Sequence, residues 1–125
     1  MLKGSCLCGA ITFEIEGSLS ATSYCHCGQC RKQTGHYWAS GIAAKSELSV
    51  NGDVSWYASS DYARRGFCGT CGSSLFWDMP SDDTIAVCLG ALDGETGLSV
   101  EKHIFVKDKG DYYELTDDLP KIQKY

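Results

Sequence analysis

Basic residues, long apolar runs and proline are all scarce in this chain of 125 residues. Eleven basic residues face 16 acidic ones, a formal net charge of −5, so the basic surface that nucleic-acid binding requires is missing. No apolar run approaches the ~20 residues of a membrane-spanning helix, so we expect no membrane partner. Only two prolines occur and no low-complexity linker divides the chain, which predicts one domain over residues 1–125.

Helical periodicity is scarce as well, since no segment longer than about ten residues shows it. Apolar and polar residues alternate instead, as in Ile11-Thr12-Phe13-Glu14-Ile15-Glu16, so the chain is predicted to be mainly β. Asn51-Gly52 lies between two short apolar segments and predicts a hairpin turn. One helical turn is expected over Gly28–Thr34, with Gly35 as its end. The predicted strands are 11–16, 37–43, 48–50, 54–57, 62–67, 74–77, 85–89 (a central strand), 103–106 and 112–115.

Cysteine, by contrast, is abundant, and seven of the eight cysteines fall in three clusters. Cysteines one or two residues apart chelate a metal more readily than they pair with each other as disulfides, so the spacing favours metal sites over a disulfide framework. The N-terminus carries no apolar signal segment, and we therefore expect a cytoplasmic protein. The clusters are Cys6-x-Cys8, Cys25-x-Cys27-x-x-Cys30 and Cys68-x-x-Cys71.

The count of thiolates predicts two different sites. Two pairs can close one four-coordinate structural zinc, and the glycines that follow each pair suit the sharp turn such a site needs. The triplet leaves one position of a second zinc open, which is typical of a catalytic site. The alternative is a second structural site closed by a histidine or by water, and the possible fourth protein ligands are His26, His36, His103 and Cys88.

Three of the four candidate fourth ligands also have a structural interpretation. His26 lies between two ligands and should point away from the metal, while Cys88 lies in an apolar strand and resembles a core residue. His103 is the first residue of an apolar strand and is interpreted as structural. The alternative is that it acts as a base. Four-thiolate sites also suit iron, but zinc is the default metal.

A zinc ion on three thiolates is suited to binding a substrate thiol as its thiolate. In this acidic protein the basic residues near the clusters can hold the carboxylates of such a thiol. The alternative is that they are solvated surface charges. The residues concerned are Arg31 and Lys32, with Arg65 and its neighbour Arg64. Tyr37, Trp38, Trp56 and Tyr57 can wall a pocket, although aromatic residues in strands more often belong to a core.

The cysteine clusters and their flanking residues resemble the glutathione-dependent formaldehyde-activating enzyme family, which includes the centromere protein V domain. The match extends over nearly the whole chain, with three clusters in the family's order. The segments that carry it are Gly4-Ser5-Cys6-Leu7-Cys8-Gly9-Ala10, Cys25-His26-Cys27-Gly28-Gln29-Cys30-Arg31-Lys32, Arg65-Gly66-Phe67-Cys68-Gly69-Thr70-Cys71-Gly72-Ser73, and the C-terminal 103–106 and 116–120.

The resemblance implies a tent-like all-β zinc domain with two zinc ions per chain. It implies a structural zinc on Cys6, Cys8, Cys68 and Cys71 and a catalytic zinc on Cys25, Cys27 and Cys30. It also implies a carbon–sulfur lyase that joins glutathione, or a similar small thiol, to formaldehyde or another small aldehyde. The alternative is a non-enzymatic, zinc-stabilised interaction module. A zinc deaminase is disfavoured because positions 26 and 28 hold His and Gly instead of the glutamate that moves protons there.

Overall fold

The structure is a computed structural model that describes residues 1–125. It contains one α-helix, α1 (Gly28–Thr34), and three short 3₁₀ helices, Lys45–Glu47, Leu89–Ala91 and Val106–Asp108. Strands dominate, so the predicted mainly β class is confirmed. The strands are β1 (Leu2–Ser5), β2 (Thr12–Ile15), β3 (Ser20–Cys25), β4 (Trp38–Ala44), β5 (Leu48–Asn51), β6 (Val54–Ala58), β7 (Arg64–Cys68), β8 (Ser74–Asp78), β9 (Thr84–Cys88) and β10 (Lys102–Ile104).

These strands form two sheets. The smaller has the order β1-β2-β5, and the larger has the order β10-β3-β4-β9-β8-β7-β6. Neighbouring strands run antiparallel, with the exception of β10, which pairs parallel with β3. The strand predicted to be central, β9, is the fourth of the seven strands in the larger sheet.

The main core lies between the sheets. Phe13 of β2 meets Phe76 of β8 edge to face, with 5.3 Å between ring centroids. Such a contact adds to the free energy gained by burying both rings. The other buried members come from both sheets and the loops between them: Cys6, Ile11, Ile15, Leu19, Ala43, Cys68, Leu75, Ile85, Val87 and Ala91.

A second, smaller core covers the other face of the larger sheet. Because side chains alternate along a strand, Phe76 and Val87 face the main core while their neighbours Trp77 and Ala86 face this second cluster. Helix α1 packs on this face against β4. The cluster is formed by Cys25, Cys30, Trp38 and Ala86, so the cysteine triplet is built into it.

The predicted hairpin at Asn51-Gly52 is wrong. Strand β5 pairs with β2 and strand β6 pairs with β7, so the strands on either side of Gly52 belong to different sheets. Gly52 has a φ of +106°, and a Cβ there would lie 2.3 Å from the carbonyl oxygen of Ala10. The glycine is needed because the backbone passes closely over Ala10 as it crosses between sheets.

The predicted strand at 112–115 is also absent. Residues 109–124 form instead an irregular segment, here called the C-terminal strap, whose end runs beside β10. The amide of His103 donates to Pro120 O at 2.9 Å, and the amide of Ile122 donates to His103 O at 2.9 Å. The two tyrosines that suggested a strand, Tyr112 and Tyr113, both turn to histidine side chains instead.

Candidate metal centres

The two cysteine pairs meet in one cluster. The sulfurs of Cys6, Cys8, Cys68 and Cys71 all lie within 4.8 Å of one another. Cys8 Sγ is 3.6 Å from Cys6 Sγ and 3.7 Å from Cys68 Sγ. With zinc–sulfur bonds of about 2.3 Å, tetrahedral ligands stand roughly 3.8 Å apart. These two sulfur–sulfur distances are close to those of a tetrahedral zinc site.

Both halves of the four-sulfur cluster are built by similar turns. The amide of Cys6 donates to Ile11 O at 3.0 Å, and the amide of Cys68 donates to Ser73 O at 3.0 Å. Each turn contains a glycine with positive φ, Gly9 at +80° and Gly72 at +82°. In the first turn the amide of Ile11 also points at Cys6 Sγ, at 3.3 Å. The predicted sharp, glycine-containing turns are thus present.

The triplet lies where β3 ends and α1 begins. Cys25 is the last residue of β3, Cys27 is the N-cap of α1, and Cys30 lies on the buried side of the helix. The Cys27 sulfur accepts a hydrogen bond from the Cys30 amide at 3.3 Å. All three sulfurs lie within 4.8 Å of one another. Cys25 and Cys30 are buried while Cys27 is half-buried, so solvent reaches the triplet from the Cys27 side.

No fourth protein ligand joins the triplet, because the sulfur and imidazole groups considered as candidates are engaged elsewhere. His26 and His103 contact each other through Nε2 and Nδ1 at 2.8 Å, so His26 points away from the sulfurs as predicted. His36 contacts the hydroxyl of Tyr112 at 2.8 Å. Cys88 is half-buried and packs against both cores. The donor set is therefore three sulfurs, which fits a zinc ion with a remaining position.

The triplet concentrates negative charge on one sulfur. The side chains of Cys25 and then Cys30 hydrogen-bond to the Cys27 sulfur, and this holds the pKa of Cys27 far below its usual range. The same contact with Cys27 raises the pKa of the Cys25 thiol. A lowered pKa favours the thiolate form of Cys27, which is the form that binds metal.

Arg65 lies against the sulfurs of the triplet. Its Nη2 is 3.4 Å from Cys30 Sγ, and only 4% of the residue is exposed. Nη2 also donates to Gln29 Oε1 at 3.2 Å, and Nη1 donates to Gln33 Oε1 at 3.5 Å. Burial and these three acceptors leave the guanidinium little freedom to reach a substrate in solvent. The prediction that Arg65 binds a carboxylate stays untested, and its contacts support a role at the sulfur instead.

The other two predicted substrate residues lie on different sides of α1. Lys32 lines an open surface cavity of about 360 Å³. Arg31 lies over the start of the helix, where one of its Nη atoms is 3.8 Å from the Cβ position of Gly28. Its Nε is buried and has no hydrogen-bond partner. The cavity is walled by polar side chains and one aromatic: Gln29, Lys32, Gln33, Tyr57, Ser59 and Arg65.

Of the aromatic residues considered for a pocket wall, Tyr57 alone lines this cavity. Trp38 belongs to the second core. Trp56 stacks under the guanidinium of Arg64, whose Cζ is 3.8 Å from the ring centroid. Tyr37 packs beside Tyr24, with 4.9 Å between centroids. These contacts account for Trp38 and Tyr37 as structural residues, whereas Trp56 also lines a second, mostly apolar cavity of about 330 Å³.

A chain of hydrogen bonds runs behind the triplet. Tyr113 Oη contacts His26 Nδ1, His26 Nε2 contacts His103 Nδ1, and His103 Nε2 lies 2.9 Å from Asp117 Oδ2. Burial, followed by the nearby charge of His103, lowers the pKa of His26 to about 4. A hydrogen bond from His103 lowers the pKa of Asp117.

One assignment of protons then satisfies every atom of the chain. Ionised Asp117 accepts from His103 Nε2–H, His103 Nδ1 accepts from His26 Nε2–H, and His26 Nδ1 accepts the Tyr113 hydroxyl. Sequence reasoning found neither Tyr113 nor Asp117 as a partner of the histidines, because more than 80 residues separate Tyr113 from His26 along the chain. Gln29 and Gln33 were missed as well, although their spacing of four residues on α1 places them on one face.

The structure has no helix with the length and hydropathy of a membrane span. Comparison with known proteins finds a curated relative, a solved structure of similar fold and a matching family profile. An uncharacterized lyase of Schizosaccharomyces pombe is 28% identical over 117 residues, which cover 92% of this chain and 85% of the relative. A Rhodobacter sphaeroides protein solved by structural genomics has 27% identity and a TM-score of 0.62, covering 76% of this chain and 91% of that chain. The profile of the family described as glutathione-dependent formaldehyde-activating enzyme matches residues 1–108, which shows that the chain belongs to this family.

Proposed function

We propose that this chain is a zinc-dependent carbon–sulfur lyase of the S-hydroxymethylglutathione synthase type. It would bind glutathione, or a similar small thiol, and add it to formaldehyde or another small aldehyde. The observation that carries the proposal is the triplet, in which three sulfurs within 4.8 Å have no fourth protein ligand. Membership of the family and the lyase name of the relative from Schizosaccharomyces pombe support the same class of reaction.

We also propose zinc as the metal at both clusters and the cytoplasm as the compartment. Sulfur-only donor sets favour zinc, and the spacing in the four-sulfur cluster fits its bond lengths. The close spacing of the cysteines favours metal ligation over disulfides, which suits a reducing compartment. One domain over residues 1–125 would contain both sites.

In the proposed reaction a carbon–sulfur bond forms between the thiol and the aldehyde carbon. The carbonyl double bond becomes a single bond, its oxygen receives the proton that the sulfur gives up, and no electrons are exchanged with a redox partner. A zinc ion held by three thiolates would supply a position in which the substrate sulfur binds as thiolate. The reverse reaction breaks the same bond and releases thiol and aldehyde.

The chain's own side chains would orient the thiol through its carboxylates. Arg31 has a buried Nε without a partner beside the start of α1, so it can donate to an anionic ligand without giving up another bond. Lys32 lines the polar cavity on the other side of the helix. Two cations on the helix that carries Cys30 suit a thiol with two separated carboxylates, and glutathione is such a molecule. Arg65 would hold the Cys30 sulfur in place instead of contacting substrate.

The test is to measure how fast the protein exchanges glutathione between its free form and its formaldehyde adduct. Exchange spectroscopy by NMR with ¹³C-formaldehyde should show a rate that rises with protein concentration above the uncatalysed rate. Cys27→Ser should abolish this increase, and calorimetry should show that it also abolishes glutathione binding. Absence of both binding and exchange in the zinc-loaded wild type would refute the proposal and favour the interaction module.

A further inference from the structure

All three histidines of the chain use a ring nitrogen to contact the C-terminal strap (residues 109–124). His36 contacts Tyr112, His26 contacts Tyr113, and His103 contacts Asp117. The three contacts are made by side chains, and the backbone of the strap joins the sheet separately, through a parallel bridge between Lys121 and His103. The strap also lies beyond residues 1–108, which are matched by the family profile.

One of the three contacts is made by a residue inside the cysteine triplet. His26 is between Cys25 and Cys27, and its side chain is fully buried on the side away from the sulfurs. Its two ring nitrogens are both engaged, one by Tyr113 and the other by His103. The His26 amide also donates to Ile104 O at 3.0 Å. The residue between the two ligands is thus held by its backbone and by its side chain.

Asp117 and Tyr113, at the two ends of the hydrogen-bond chain, are themselves held by contacts within the strap. Asp117 accepts from His103 and from the amide of Leu119 at 3.0 Å, and Lys121 Nζ donates to Asp117 O at 2.7 Å. Lys109 Nζ lies 4.6 Å from the centre of the Tyr113 ring and contacts the Tyr113 carbonyl. These contacts give the tyrosine hydroxyl and the aspartate fixed positions from which to orient the histidines.

We propose that Tyr113 and Asp117 are positioning residues for the metal triplet, holding His26 and thereby the backbone between Cys25 and Cys27 in the metal-binding conformation. They act through His26 and His103 and touch neither metal nor substrate. Groups that orient the residues around a metal in this way commonly change its affinity by about 10–100-fold when they are removed. The strap would therefore set the affinity of the triplet while leaving the four-sulfur cluster unaffected.

The test compares how fast the two sites release zinc to an excess of a chromophoric chelator. The wild type should release its two ions in two phases, and the phase that is missing from Cys27→Ser identifies the triplet. Tyr113→Phe removes one hydroxyl and Asp117→Ala removes the acceptor for His103. Both should accelerate the triplet phase by about tenfold, at the lower end of the range for such groups, and leave the other phase unchanged.

Tyr112→Phe is the matched control, since it removes the hydroxyl of a neighbouring tyrosine. That hydroxyl contacts His36, which lies outside the segment from Cys25 to Cys30. The substitution should leave both phases unchanged. Equal acceleration of both phases in Tyr113→Phe would indicate general destabilisation and overturn the inference, as would an unchanged triplet phase. The inference rests on the proposed metal centre, not on the thiol chemistry. Wild-type protein that holds one ion would overturn both, whereas two ions with unaltered release from the variants would overturn this inference alone.

Discussion

The guanidinium of Arg65 donates to the sulfur of Cys30 at 3.4 Å across the boundary between β7 and α1. This contact places a buried positive charge beside the triplet, whose three thiolates would carry one more negative charge than a divalent ion neutralises. A hydrogen bond between charged groups contributes about 1.5–3 kcal/mol. Arg65 is therefore expected to stabilise the metal-bound state of the triplet.

Arg65→Met should weaken zinc binding at the triplet by roughly tenfold or more, which corresponds to about 1.4 kcal/mol or more. Competition with a chelator of known affinity measures this change. Lys32→Met is the control, because Lys32 carries the same charge near the site but lines the cavity without contacting a sulfur. Equal losses in the two variants would mean that general electrostatics, and not the contact with Cys30, is responsible.

The two cysteine clusters should respond differently to the loss of one thiol. Cys27→Ser is expected to lower the zinc content from two ions to one and to leave the fold intact, since the triplet lies at one strand end and one short helix. Cys68→Ser should unfold or strongly destabilise the chain, because the four-sulfur cluster joins segments 60 residues apart. Metal analysis and circular dichroism measure both effects. Equal destabilisation by the two substitutions would contradict the catalytic assignment of the triplet.

Lys32→Met should discriminate between thiols. It is expected to raise the Kd of glutathione by about threefold to tenfold, since a partly exposed ion pair contributes on the order of 1 kcal/mol. The Kd of 2-mercaptoethanol, which has no carboxylate, should not change. Calorimetric titrations of both thiols provide the measurement, and a parallel change in both values would show that Lys32 does not contact the carboxylates.

Gly4→Ala should destabilise the protein through a clash at the centre of the smaller sheet. A Cβ at position 4 would lie 2.1 Å from Phe13 Cζ, and Phe13 is buried in the main core, where the ring has little room to move. Overpacking of this kind costs about 1–3 kcal/mol. Gly90→Ala is the control, since its nearest neighbour would be Cys88 Sγ at 3.8 Å and a change within about 0.5 kcal/mol is expected. Urea unfolding measures both.

Asp78 should make stability depend on pH in the acid range. Its carboxylate, 3% exposed, is 2.8 Å from both Lys45 Nζ and Arg64 Nε. Burial alone would raise the pKa of Asp78, but the contacts with Lys45 and Arg64 outweigh it and hold the folded-state pKa below its ordinary value. A lowered folded-state pKa gives stabilisation that is present above the unfolded-state pKa and is lost as pH falls through the folded-state value.

The measurement is the difference in unfolding free energy between wild type and Asp78→Asn. This difference should be constant from neutral pH to about 4 and should shrink below that, because the unfolded carboxyl titrates near 3.9. Metal release in acid affects both proteins and largely cancels in the difference. A difference that grows as pH falls would show that the ion pairs with Lys45 and Arg64 do not stabilise the fold.

Local pattern in the sequence was enough to predict the helix at Gly28–Thr34, the central position of β9 and the two sulfur groupings. These features depend on neighbours in the chain, such as cysteine spacing and a terminal glycine. The hairpin at Gly52 was predicted wrongly because the glycine is required by the close approach of Ala10, a residue some 40 positions away. Strands β1 and β3 were missed because they are short or interrupted, as where the pairing of β3 with β4 shifts register between Ser20 and Ser23.

The environments of the basic residues near the triplet also depend on contacts that the sequence does not reveal. Sequence proximity placed Arg31, Lys32 and Arg65 in one predicted group of carboxylate ligands. The structure gives each a different environment. Arg31 has a buried Nε without a partner, Lys32 lines a cavity, and Arg65 is buried against the sulfur of Cys30. Arg65 is not free to bind a ligand because it donates hydrogen bonds to Gln29 and Gln33, and these contacts form only when the chain folds.

A metal ion in the four-sulfur cluster would close part of the polypeptide into a loop. With an ion bound, the chain between Cys8 and Cys68, 60 residues apart, is closed on itself by bonds of considerable strength. The exposed turn at Asp61 and Tyr62 lies inside this loop. A protease that cut there would leave two fragments tethered through the metal, and they would separate on a denaturing gel only after chelation. The cluster would then limit the freedom of the unfolded chain as a long-range disulfide does, while remaining reversible in a reducing environment.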